Sequence, residues 1–215
     1  MILTLCMAIV ANAGSSKRYF QNPRWPSDQS IHAQSILNPT AASTAAAVNA
    51  SVGPTSAAAT SITSFVAQPS VPRNLVITPG STTADVGTCV ITVTGTNIFN
   101  ASNTETFSFA ADQTTAVTGA EAFKSISSVA FAADCEATPF TASWSVGYGE
   151  KLGLNRCMAN AGDIVFSMID GAKEATAPTI VVDADEVEKN TADFNGTMDG
   201  SADFTMYYFH NYRCE

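Results

Sequence analysis

The chain has 215 residues, 46% hydrophobic, 9% aromatic and only 13% charged, with a formal net charge of -9. An ordinary globular chain is about 25% charged, and the missing charge is replaced here by Ala, Ser, Thr and Val. An acidic chain repels phosphates and no run reaches about 18 apolar residues, so neither nucleic acid nor membrane is an expected partner. The charge is also unevenly placed. Residues 1–84 hold one acid, Asp28, and four bases, Lys17, Arg18, Arg24 and Arg73, whereas residues 85–215 hold 18 acids and six bases. That split predicts two parts, an N-terminal arm over 1–70 and an acidic folded body over 71–215.

The N-terminal run Ile2–Val10, followed by Ala11-Asn12-Ala13, has the look of a short signal-peptide core with an A-x-A cleavage site. No basic residue precedes it, and the alternative is an apolar segment that buries itself against a neighbour. Next come Tyr19, Phe20, Arg24 and Trp25, with Trp25 between Pro23 and Pro26. Aromatics and Arg are favoured interface anchors. Residues 29–72 contain no Asp, Glu, Lys or Arg, and 20 of the 28 residues over 40–67 are Ala, Ser or Thr. Such a stretch buries too little apolar area to offset its own ordering entropy. It is expected to order on a partner as an extended strap over 40–61, adding a strand to a neighbour's sheet edge. Tyr19, Phe20, Arg24, Trp25 and Phe65 are the expected partner-binding residues.

From about residue 71 the hydrophobic period becomes two. Strands are predicted over 74–78, 89–96, 104–110, 121–133 (with an edge-like Phe123), 140–148, 163–169, 179–183 and 203–210. Asn100 to Asn103 reads as a turn. Phe107, Phe109, Phe131, Trp144, Val146 and Phe166 are expected in or near the core. Short strands with turn signals every 8–12 residues predict an all-β antiparallel sandwich or barrel-like body. Helical periodicity is nearly absent, with room for one short helix over 113–123 or 30–37. Residues from about 156 either complete the first sheet or form a second lobe, and 183–203 read as a long loop.

Candidate chemistry is thin. The two histidines, His32 and His210, lie far apart, and pairing His210 with Cys214 lacks an orienting third group. Cys6, Cys89, Cys135, Cys157 and Cys214 are odd in number, widely spaced and contain no C-x-x-C, so a zinc ribbon or thioredoxin-type site is not supported. They read as reduced, mostly buried thiols of a protein assembled in a cytosol. Asp183 and Asp185 stand two apart, a spacing that can aim two carboxylates at calcium. Without the glycine that an EF-hand loop needs, a solvated loop is the better reading. Sequons begin at Asn49, Asn100 and Asn195. No catalytic residues, metal or cofactor are expected.

One stretch carries a resemblance. Pro72-Arg73-Asn74-Leu75-Val76-Ile77-Thr78 is followed by Val90-Ile91-Thr92-Val93-Thr94-Gly95-Thr96-Asn97, Glu105-Thr106-Phe107, Ala122-Phe123-Lys124-Ser125-Ile126 and Val146-Gly147-Tyr148-Gly149-Glu150-Lys151-Leu152-Gly153-Leu154. This order, over about 80 residues, resembles a family of small β-rich virion proteins of tailed bacteriophages. Glu150 stands where that family often has Asp, and Asn155 where it often has Pro. The resemblance implies a structural virion protein, most simply a head decoration (cement) protein on the capsid surface, assembled in the host cytoplasm and not an enzyme. Its implied partners are the major capsid protein and further copies of itself, with a trimer favoured. Neck, tail or baseplate placement is the alternative within the virion. A secreted β-sandwich binding module, using the leader, the sequons and the acidic loop, is the alternative outside it.

Overall fold

The structure, a computed structural model, describes residues 30–41, 47–53, 58–80, 86–133, 135 and 143–210. It is all-β with antiparallel pairing throughout. In chain order the strands are β1 (Ser30–Ile36), β2 (Asn49–Val52), β3 (Thr60–Ile62), β4 (Arg73–Pro79), β5 (Cys89–Thr96), β6 (Ser102–Phe109), β7 (Val117–Thr118), β8 (Ser125–Phe131), β9 (Trp144–Gly153), β10 (Ile164–Ile169), β11 (Ala172–Lys173), β12 (Thr179–Val181), β13 (Thr191–Asp193) and β14 (Phe204–His210). They form three sheets, in the orders β3-β8-β5-β6, β12-β13-β9-β4-β7 with β2 also on β9, and β1-β14-β10-β11.

Local sequence explains the longest ladder. In β5 the residues Cys89, Ile91, Val93 and Gly95 are buried, while Val90, Thr92 and Thr94 face outward. Its partner β6 buries Asn103, Phe107 and Phe109 between exposed Ser and Thr. Two-residue alternation lets one face meet a core and the other meet water. β4 is buried on nearly every residue, as expected of a strand inside its sheet.

The sheets enclose two cores. The first packs Leu75, Ile77, Trp144, Val146 and Tyr148 from β4 and β9 against Ile91, Val93, Phe107, Phe109, Ile126, Val129 and Phe131 from the facing sheet. Phe109 meets Trp144 edge-on at 4.8 Å between centroids. The second core holds Leu152, Leu154, Met158, Ala192, Phe194, Met198, Phe204, Met206, Tyr208 and Ile36. Strand β9 therefore serves both: Trp144 to Tyr148 fill the first core and Leu152 the second.

Five sequence expectations change. The described stretches of the 1–70 segment belong to the body's sheets, forming β1 on β14, β2 on β9 and β3 on β8. Within 30–37, Ser30–Ile36 is strand, not helix: Gln34 and Ile36 are buried and Ile31, Ala33 and Ser35 exposed, a period of two that the polar residues concealed. Within 113–123 lies β7, paired to β4, not a helix. Phe123 is fully buried, not at an edge, and bridges to Arg73. The 183–203 stretch contains a 3₁₀ turn at Val187–Lys189 and β13, so it is not one long loop.

The residues after 156 do both things foreseen for them. β13 extends the β4–β9 sheet by pairing with β9, and β10, β11 and β14, with β1, build a separate sheet over the second core. Phe107, Phe109, Phe131, Trp144 and Val146 are buried as expected. Phe166 is half-buried and stacks on Tyr207 at 4.4 Å.

The cysteine reading is corrected too. Cys89 and Cys135 form a disulfide, and both are buried. β8 runs antiparallel to β5, so the chain leaving β8 passes the start of β5. The bonds Ala132 N–H to Val90 O (3.0 Å) and Gly87 N–H to Cys135 O (3.3 Å) hold the two ends together. Cys157 is disulfide-bonded as well. Cys6 and Cys214 lie outside the described residues.

Candidate functional site

Of the expected anchors, Tyr19, Phe20, Arg24 and Trp25 lie outside the described residues. Phe65 is half-buried and packs on the first core, so it serves the chain's own interior. The described part of the uncharged strap does the same. Val48 is fully buried; its N–H donates to Val146 O at 3.0 Å, and its carbonyl accepts from Val66 at 3.0 Å. The Gln68 carboxamide donates to Ile126 O (3.0 Å) and accepts from Ile126 N–H (2.7 Å). Small uncharged side chains let this segment lie flat, and the surface it lies on is its own β8 and β9.

The residues that carry the resemblance come together at the junction of the two cores. Opposite β4, strand β9 is irregular: Leu75 pairs with Tyr148, but Arg73 pairs with Leu152. The extra residues form a bulge, and β4 fills it with two side chains. Asn74, fully buried, accepts from Lys151 N–H at 3.0 Å and donates to Gly119 O at 2.9 Å. A Cβ on Gly149 would overlap the Asn74 carboxamide, so this position requires glycine. Arg73 is also fully buried. Its Nε and Nη2 donate to Gly149 O, its Nη1 to Thr40 O at 2.6 Å, and its Nη2 reaches Met198 Sδ at 3.2 Å. The guanidinium lies 5.3 Å from the Tyr148 ring centroid. Burial lowers its pKa to about 10, with Tyr148 and Glu150 opposing the shift.

The same junction collects two of the other quoted motifs. Arg73 exchanges backbone hydrogen bonds with Phe123 at 3.1 and 2.8 Å, and Gly153 N–H donates to Pro72 O at 2.8 Å. A Cβ on Gly153 would meet Ala122 and Pro72, and one on Gly95 would meet the Ser125 carbonyl and the Phe123 ring. The Glu105–Phe107 segment joins them along β5, with Glu105 opposite Val93 and Phe107 opposite Ile91, so the five segments form one packed unit. Sequence reading missed this role of Arg73. The available signal was that Arg73 is the lone charged residue between positions 29 and 84.

The remaining candidates are placed as follows. His32 is half-buried, edge-on to Tyr208 at 5.4 Å, and burial lowers its pKa. The Tyr208 hydroxyl lies 3.2 Å from Gln34 Oε1 and 3.0 Å from Asn155 Oδ1, sharing its one proton between these two acceptors. His210 ends β14, and Cys214 lies outside the described residues. Asp183 uses Oδ1 to cap the backbone N–H of Asp185 (2.8 Å) and Glu186 (2.9 Å). Those bonds hold its pKa below the usual carboxylate value. Among the described residues no group of three His, Cys, Asp or Glu is arranged to hold a metal ion. Of the sequon asparagines, Asn100 and Asn195 are exposed and Asn49 is half-buried, donating to Ser64 O at 3.2 Å. No protein-family model, curated protein or solved structure matches the chain.

Proposed function

We propose that the chain is a structural protein of a tailed-bacteriophage virion, of the head decoration type. In this reading it binds major capsid protein subunits at the capsid surface, assembles as a homo-oligomer with a trimer favoured, and is not an enzyme. The supporting observation is the junction itself. The separated motifs that carry the resemblance interlock through Arg73, Asn74, Gly149, Phe123 and Gly153. Contact among them favours a likeness of one folded unit over a chance order of short strings. A neck, tail or baseplate location is the alternative placement.

The second reading, a secreted β-sandwich binding module, is favoured by one observation: the Cys89–Cys135 disulfide and the bonded Cys157. Disulfides persist in oxidising compartments. Intact mass separates the two, since a chain beginning after Ala13 favours export.

Partner binding is assigned to residues before β1, with Tyr19, Phe20, Arg24 and Trp25 as anchors. Deleting residues 1–29 leaves every described strand in the chain, whereas a longer deletion would remove β1 to β3. The truncated protein is expected to keep the protection of its β5 ladder against hydrogen exchange but to lose occupancy on cognate shells. Unchanged occupancy and salt resistance would overturn the assignment. Trp25→Ala alone is expected to cost about 2 kcal/mol of binding, as for a buried interface anchor.

A further inference from the structure

The loop between β7 and β8 is gripped from both lobes. From the first, Glu105 on β6 accepts from the N–H groups of Ala120 (2.6 Å) and Glu121 (3.3 Å) through Oε1. Its Oε2 is buried and has no hydrogen-bond partner among the described residues. A Cβ on Gly119 would overlap that oxygen, so loop and carboxyl group are in close contact. From the second lobe comes the 3₁₀ turn Val187–Lys189. The Glu188 carbonyl accepts from Ala122 N–H at 2.7 Å, and the Glu188 carboxylate accepts from Asn97 Nδ2 at 3.0 Å. Glu105, Glu121, Glu186 and Glu188 therefore gather from three elements around one loop.

Few cations offset them. Lys189 is ion-paired with Glu186 and lies within reach of Glu121 and Asp183. Lys151 on β9 acts on Glu105. Lys124, at the far end of the loop, donates to Asn100 Oδ1 at 2.9 Å. A carboxylate that is partly desolvated beside like charges resists ionisation.

We propose that this cluster is a proton-operated latch between the lobes: with a proton bound, the Val187–Lys189 turn seats on the 119–122 loop, and with the proton lost, mutual repulsion loosens it. Electrostatics agree with the geometry. Burial is the main cause that raises the Glu105 carboxyl, and burial followed by Glu105 raises Glu121 to about 7, with Glu188 and Glu186 adding and Lys189 opposing. A carboxyl pKa raised by folding gives a contribution that is complete below the ordinary glutamate value and lost as pH rises through about 7. The working window is thus mildly acidic to neutral.

The test is hydrogen exchange of the full chain from pH 5.5 to 8.5, corrected for intrinsic rate, with a carboxyl-carbon NMR titration. Protection of peptides covering 119–123 and 186–191 should fall roughly thirtyfold across the window, because about 1.5 pH units separate its lower end from a midpoint of about 7. Protection over β5 should hold. Glu121→Gln should remove most of that fall and raise the melting temperature more at pH 8 than at pH 5.5. Should that variant misfold, Glu186→Gln should reduce the fall in part. A Glu121 midpoint near 4.5, or a fall that survives both substitutions, would overturn the latch.

Discussion

The two lobes reach stability by different means. The first is a sandwich built on long ladders: β5 pairs with β6 over eight register positions and with β8 on its other side. Its core is aromatic, with Phe107, Phe109, Phe123, Phe131 and Trp144 all essentially inaccessible to solvent, and a disulfide seals one end. The second lobe has two- and three-residue strands at β11, β12 and β13 and a core rich in methionine, Met158, Met198 and Met206. It depends on polar hubs. Buried Asn190 accepts from Met158 N–H (3.0 Å) and Asp183 N–H (3.2 Å) and donates to the carbonyls of Asp183 and Glu186 (both 2.8 Å). Asp199 caps Ser201 and Ala202 in the same manner. Aromatic alternation makes strands that are stable as ladders. Asn and Asp hubs instead fix irregular backbone that short strands cannot fix alone.

Substitutions should separate these two mechanisms. The largest effect belongs to the aromatic core: Trp144→Ala should cost about 3–5 kcal/mol, read as a lower denaturant midpoint with the first lobe losing its near-ultraviolet signal. Replacing Cys89 and Cys135 together with Ala should cost about 2–5 kcal/mol and lower the melting temperature of the same lobe. Asn190→Ala should cost about 1–3 kcal/mol, because it strands buried backbone groups. Its signature is faster hydrogen exchange over 183–193 with the β5 ladder unchanged. Equal loosening of both lobes would mean that they unfold as one unit and would dissolve the contrast. Val66→Ser, at an 81% exposed position, should stay within about 0.5 kcal/mol.

The same contrast explains what the sequence made legible. β5 was predicted end to end, because Thr alternates with Val and Ile over its length. Phe107, Phe109 and Trp144 were assigned to the core for the same reason. β7, β11 and β13 have two or three residues, too few to show a period, and their pairing depends on partners far along the chain. β1 was concealed because Ser, His and Gln occupy a strand whose buried face needs only Gln34 and Ile36. Gln34 is satisfied there by Gly153 O at 3.0 Å and Asn155 N–H at 2.9 Å, contacts that no local pattern announces. The junction was half legible. Its motifs were visible as a resemblance, but the reason they belong together, a bulge in β9 filled by Arg73 and Asn74, is a three-dimensional fact. Glu121 gave no signal, since its carboxyl is unusual only beside Glu105 and the Val187–Lys189 turn.

The functional reading comes down to where the protein sits and in how many copies. Cryo-electron microscopy of purified particles, with quantitative mass spectrometry against the major shell subunit, measures both. The account predicts hundreds of copies on the outer capsid surface, with density for residues before Ser30 contacting shell subunits. Six or twelve copies at a neck or baseplate, or a protein recovered only outside particles with its first residues removed, would contradict it.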